Sequence, residues 1–210
     1  MAILIERKTK TRAHERLTAR VWLFGPHCAC ASGVRVICSI LAASLITPIS
    51  TAHPEAQETR EYELKAAFLY NFAKFVEWPA GTFSDDGAPI VVAVVGDDPF
   101  RASLDSVSGK SANGRQVVVR RMSVGQDLRS CQVLFVSSSE RRRLTEIVAS
   151  IEGASVLTVG EMDGFASNGG MIRLTMEDNK VRFQINAGAA RHARLRISSK
   201  LLSLAKDVIN

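Results

Sequence analysis

Apolar side chains recur at helical spacing after residue 60. Leu64, Ala67, Phe68, Asn71, Phe72 and Phe75 stand at i, i+3, i+4, i+7, i+8 and i+11. This predicts a helix over 61–76 with one aromatic face that carries an amide in its middle, stopped by Trp78-Pro79. If that face is buried, Asn71 needs a hydrogen-bond partner, because an unbonded amide is costly there. Alternatively Phe68, Asn71 and Phe72 line a groove for a partner or ligand, as aromatic groups are enriched at interface cores.

The pattern then changes to short apolar runs. Residues 90–95 (IVVAVV) read as a strand covered on both faces, and 117–122, 133–136 and 156–159 as three more. Asp98-Pro99 predicts a capped helix over 100–106, and 140–151 a helix with Leu144, Ile147, Val148 and Ile151 on one side. Strands alternating with helices argue for a mostly parallel sheet with helices on both faces, a three-layer α/β domain.

The C-terminal third alternates with period two. Residues 171–177 and 180–186 flank Asp178-Asn179, a pair suited to a two-residue turn. That turn sets Ile172 against Ile185, Leu174 against Phe183 and Met176 against Val181 on one face. Arg173, Thr175 and Glu177 then meet Gln184, Arg182 and Lys180 on the other. Asn186 can cap a short helix through Ala193, and Ser198 a last one whose Leu201, Leu202, Leu204 and Ala205 cover the sheet.

The first 52 residues differ in composition from the rest of the chain. An uncharged apolar stretch over 36–46, preceded by Arg35 and followed by Ser50-Thr51-Ala52, reads as a secretory signal cleaved after Ala52. The stretch is shorter than the ~20 residues a membrane span needs. Residues 1–33 are unusually long for the start of such a leader, which suggests translation starting near Val34. The mature domain is then 53–210. Of 27 Lys and Arg, seven lie in the leader, so the net charge of +6 falls to near neutral after cleavage and nucleic acid is not an expected partner. Cys28, Cys30 and Cys38 leave with the leader, and Cys131 alone cannot close an internal disulfide.

Little points to catalysis or a cofactor. Asp97-Asp98 follows a strand but lacks the third-strand aspartate of a receiver, where Ser137-Ser138-Ser139 stands instead; Asp98 reads as a helix cap. Gly96 is isolated, and the glycine-rich 164–170 leads into a strand, which predicts a mobile loop and not a phosphate cradle. Cys131 opens an apolar strand, and His192 is the one histidine expected to be ordered, so neither a triad nor a zinc set can be assembled. Arg141-Arg142-Arg143 reads as a solvated helix start. No cofactor or metal is expected.

Several segments together, in order, resemble the YfiR-type family of small exported bacterial proteins. They are 70–79, Val133-Leu134-Phe135-Val136-Ser137, Leu157-Thr158-Val159-Gly160, Phe165 with Gly169-Gly170-Met171-Ile172, 183–186 and 197–205. The resemblance implies a non-enzymatic periplasmic repressor of an inner-membrane GGDEF-type diguanylate cyclase. Such a protein binds the cyclase's periplasmic sensor domain and lowers cyclic di-GMP and biofilm or exopolysaccharide output. A homodimer is expected. The partner surface is expected to combine Phe68, Asn71 and Phe72 with a cluster of Glu177, Arg191 and His192 at the hairpin turn and the helix after it. The alternative is a periplasmic small-molecule receptor serving another membrane partner. Two departures stand out: disulfide-based redox response cannot carry over to a chain left with Cys131, and Arg194 occupies a position where relatives tend to have glycine.

Overall fold

A computed structural model describes residues 54–210. The expected leader, its cleavage site and the alternative start all lie outside the described residues. The first helix, α1 (Pro54–Phe75), runs directly into a short strand, β1 (Val76–Glu77). There follow β2 (Ile90–Val95), α2 (Ala102–Asp105), β3 (Ser111–Ala112), β4 (Arg115–Met122), β5 (Val133–Val136), α3 (Leu144–Ser150) and β6 (Leu157–Gly160). The hairpin β7 (Ile172–Glu177) and β8 (Lys180–Asn186) leads to α4 (Ala187–His192), β9 (Arg196–Ile197), α5 (Ser199–Leu204) and β10 (Asp207–Ile209).

Eight strands form one sheet in the order β10-β8-β7-β6-β5-β2-β4-β3, parallel from β4 to β7. Helices α1, α2 and α5 pack on one face against Ile90, Val92, Phe135, Leu157, Ile172 and Phe183. Helix α3 and Phe165 pack on the other face against Val91, Ala93, Leu134 and Val136. The central strands β2 and β5 are buried on both faces, which is why their sequences are unbroken apolar runs, whereas β4 nearer the edge buries only Val117. This is the expected three-layer α/β domain.

The hairpin has the register expected from its pattern, from Ile172↔Ile185 to Glu177↔Lys180. Asp178 and Asn179 both take positive φ, as a type I′ turn requires. Both expected caps also form: Asn186 Oδ1 accepts from the Ala189 N–H at 2.8 Å, and Ser198 Oγ from the Leu201 N–H at 3.2 Å.

Other expectations need correction. Helix α2 is one short turn starting at Ala102, because Arg101 sits at φ 51 and interrupts the helix. Asp98 instead accepts from the Phe100 N–H through one oxygen, at 2.8 Å, and from Arg121 Nε through the other, at 2.9 Å. A second two-residue turn, Asn113-Gly114, joins β3 to β4 and extends the expected strand back to Arg115. The loop 164–170 is packed, not open: Phe165 is fully buried, and a Cβ on Gly160 or Gly170 would come within 2.6 or 2.3 Å of its ring. Glycine is needed there for close approach. The final helix is shorter than expected, and the chain turns at Ala205 into β10, which adds a parallel edge strand to β8. Leu201 is buried, but Leu204 is 60% exposed.

Candidate functional site

In doubly wound sheets ligands favour the carboxyl ends of the strands, where the strand order reverses. Here that reversal lies between β2 and β5, and it is closed. The Asp97 N–H donates to Ser139 Oγ at 3.0 Å, and a Cβ on Gly96 would lie 2.5 Å from the same oxygen. The serine run that took the place of a receiver aspartate therefore fills the crevice.

Next to it, after β6, is a compact charged cluster that no motif announced. Lys65, with its side chain only 4% exposed, reaches from α1 to Glu61 and to Glu161, each at 2.5 Å. Its ammonium lies 4.5 Å from the centre of the Tyr62 ring, and the Tyr62 hydroxyl donates to Glu161 at 3.1 Å. Burial first, and Glu161 second, push the Tyr62 hydroxyl well above its ordinary pKa, so it remains a donor. Arg173 pairs with Asp163 close by. Only Glu61 and Lys65, four apart on one helix, were visible as a pair in the sequence. The cluster anchors α1 across the strand ends.

The outer side of α1 carries a different chemistry. The helix's buried apolar residues are Ala66, Leu69, Phe72 and Ala73, continued by Val76 of β1. The face expected to be buried is thus turned largely outward, and Phe72 alone of its six residues enters the core. Small Ala66 and Ala73 let the helix lie close to the sheet, while the bulkier aromatic residues flank the contact. Leu64 (39% exposed), Ala67 and Asn71 point to solvent, so Asn71 needs no backbone partner. Phe68 is half-buried, with its ring 6.0 Å from Phe72 and 5.8 Å from Phe183. Phe75 is half-buried too, beneath the Lys200 ammonium at 5.2 Å. A groove of about 530 Å³ between the start of α1 and the hairpin tip is floored by Leu64 and Met176 and rimmed by Arg60, Glu61 and Asn179. Across Phe183, the edge strand β10 and the end of α5 expose Val208 and Leu204. The result is a half-open apolar strip along α1, with a further apolar exposure at the free sheet edge.

The expected cluster of Glu177, Arg191 and His192 does not form. Glu177 ends β7 beside the turn, whereas α4 begins at the far end of β8. Six residues of strand at about 3.3 Å each separate the two ends, roughly 20 Å. Glu177 pairs with Lys206 at 2.5 Å, Arg191 is exposed, and His192 Nδ1 donates to the Gly188 carbonyl at 2.9 Å. Phe68, Asn71 and Phe72 do share one helix, with Phe72 beneath the surface and Phe68 at its edge.

Cys131 is buried, its thiol donates to the Leu128 carbonyl at 3.2 Å, and burial pushes its pKa up to about 12. Arg141, Arg142 and Arg143 are exposed, with Arg143 paired to Glu140 and Glu146. Among the described residues no three His, Cys, Asp or Glu side chains are grouped to hold a metal ion, and no helix is long and apolar enough to cross a membrane.

Residues 62–206 match the family described as YfiR/HmsC-like. The match spans most of the chain, and the chain belongs to that family.

Proposed function

We propose that this YfiR/HmsC-like protein is a periplasmic regulator that binds the periplasmic sensor domain of an inner-membrane GGDEF-type diguanylate cyclase and holds it inactive. Membership in the family supports a periplasmic regulatory role. The observation that favours a protein partner is the outward strip of α1, where Leu64, Ala67 and the rim of Phe68 stand uncovered around Asn71. Apolar exposure grouped around a few polar groups is a mark of interaction surfaces.

Repression acts by equilibrium. A regulator that binds the inactive sensor better than the active one shifts the population by the ratio of the two affinities, and about 1.4 kcal/mol of difference changes that ratio tenfold. Phe68 supplies the edge of a preformed cluster of tilted and edge-to-face rings with Phe72 and Phe183, so docking there orders few new side chains.

The test is cyclic di-GMP in cells lacking the gene, complemented with wild type or with Leu64→Asp. Deletion should raise cyclic di-GMP, wild type should restore it, and Leu64→Asp at equal abundance should not. An unchanged level on deletion refutes the regulatory reading. Full restoration by Leu64→Asp removes the α1 strip from it.

A further inference from the structure

Helix α3, on the face opposite α1, and α4, whose Ala190 joins the core on the α1 side, stand apart over the amino-terminal end of β6 and leave a groove of about 540 Å³. Its walls are Val148 and Ile151 from the α3 side, Val156 and Met171 below, and Ala189 and Ala193 from the α4 side. This volume lies within the ~300–1,000 Å³ typical of small-molecule sites, and the lining is mostly apolar as such sites are.

The lining's polar residues are Thr145, Glu152, Thr158, Asn168 and His192, and those at the floor and the rim define what would fit. At the floor, Thr158 is 1% exposed, and its hydroxyl oxygen accepts from the Met171 N–H at 2.9 Å. Among the described residues no acceptor takes the hydroxyl's own proton, so a buried donor remains available at the bottom of the groove. At the rim, His192 uses Nδ1 to reach the Gly188 carbonyl, which leaves Nε2 free. Glu152 is the one fully charged side chain among the lining, is exposed, and has no ion-pair partner among the described residues. Arg129 and Arg194 donate to the Glu152 and Gly153 carbonyls at 3.0 and 3.1 Å, so the mouth carries both signs and selects no net charge, while a single hydroxyl is too little to hold a charge at a buried floor.

We propose that this groove is a binding site for a neutral, flat, mostly apolar small molecule carrying one acceptor oxygen, a carbonyl or phenol type, that meets the Thr158 hydroxyl. The apolar body lies between Val148 and Ala189, and the polar outer end meets His192. The site is separate from the α1 strip and does not depend on the partner reading.

The probe is Prodan, a neutral naphthalene ketone whose emission moves to the blue in apolar surroundings, titrated into the purified protein. A saturable one-to-one blue shift is expected. Ala189→Phe, which fills the groove, should weaken binding at least tenfold while leaving the circular-dichroism melt in place. Val148→Trp fills it from the opposite wall and should do the same, and Thr158→Val should weaken it several-fold. Methyl resonances of wild-type protein, which need no variant, should shift at Val148, Ala189 and Ala193 on titration. No saturable shift, unchanged binding by a folded filled variant, or methyl shifts confined to another part of the protein would each overturn the proposal.

Discussion

Lys65 sits where α1 crosses the strand ends, and its ammonium is the only cation paired with Glu61 and Glu161 among the described residues. Removing one member of a buried ionic group leaves the others without compensation, which typically costs about 3–5 kcal/mol. Lys65→Ala should therefore lower the unfolding free energy, measured by denaturant titration, by an amount approaching that range. A change below about 0.5 kcal/mol would show that water reaches the cluster and compensates it. Cys131 has the opposite character, a neutral side chain kept inert by burial. With its pKa pushed up to about 12, almost no thiolate exists at pH 8, so a disulfide reagent should leave the native protein unmodified and react only after unfolding. Rapid modification of native protein would contradict the packing around it. Arg194 adopts φ 60, a left-handed conformation that favours glycine at that position, and its guanidinium donates to the Gly153 carbonyl at 3.1 Å.

At the scale of elements, the hairpin carries the clearest expectation. Leu174 and Phe183 are opposite each other and buried, so Leu174→Asp or Phe183→Asp should unfold the domain. Arg182→Ala, on the exposed face, should stay within about 0.5 kcal/mol by thermal melt. Comparable effects from the two sets would contradict the register. This element was legible because alternation and turn chemistry agree, and a slip of one residue would turn every apolar side chain outward. The buried parallel strands were legible for a related reason, since little but a two-faced sheet accommodates IVVAVV. Helix α1 was misread because its sequence is apolar around more than half its circumference. Counting aromatic residues favours the wrong side when alanines make the closest contact. Strand β10 was missed because three residues carry no periodicity. The Asn113-Gly114 turn did carry a signal, but β3 is only two residues long. The charged cluster was half legible, since Glu161 joins Glu61 and Lys65 only once β6 is placed beside α1.

Taken as a whole, the molecule closes its switch point with Ser139, keeps its one described cysteine inert, and leaves its outward-facing apolar side chains on α1 and the β10 edge. That distribution suits a protein that works by contact with another protein. Of the expected partner residues, Phe68, Asn71 and Phe72 were legible as neighbours on one helix but not as one surface, since Phe72 is buried and Asn71 exposed. Glu177 and His192 were wrongly joined because sequence proximity across a hairpin conceals the length of its strand. Glu177→Ala should therefore disturb only its Lys206 pair at the hairpin tip, and His192→Ala only the α3–α4 groove. Binding of a cyclase through the α1 strip is measured by retention of inner-membrane protein on immobilised wild-type and Leu64→Asp protein, read by mass spectrometry for GGDEF-containing chains. A GGDEF protein held by wild type and lost from a folded Leu64→Asp is the expected result; equal retention by both, or none by either, would contradict it.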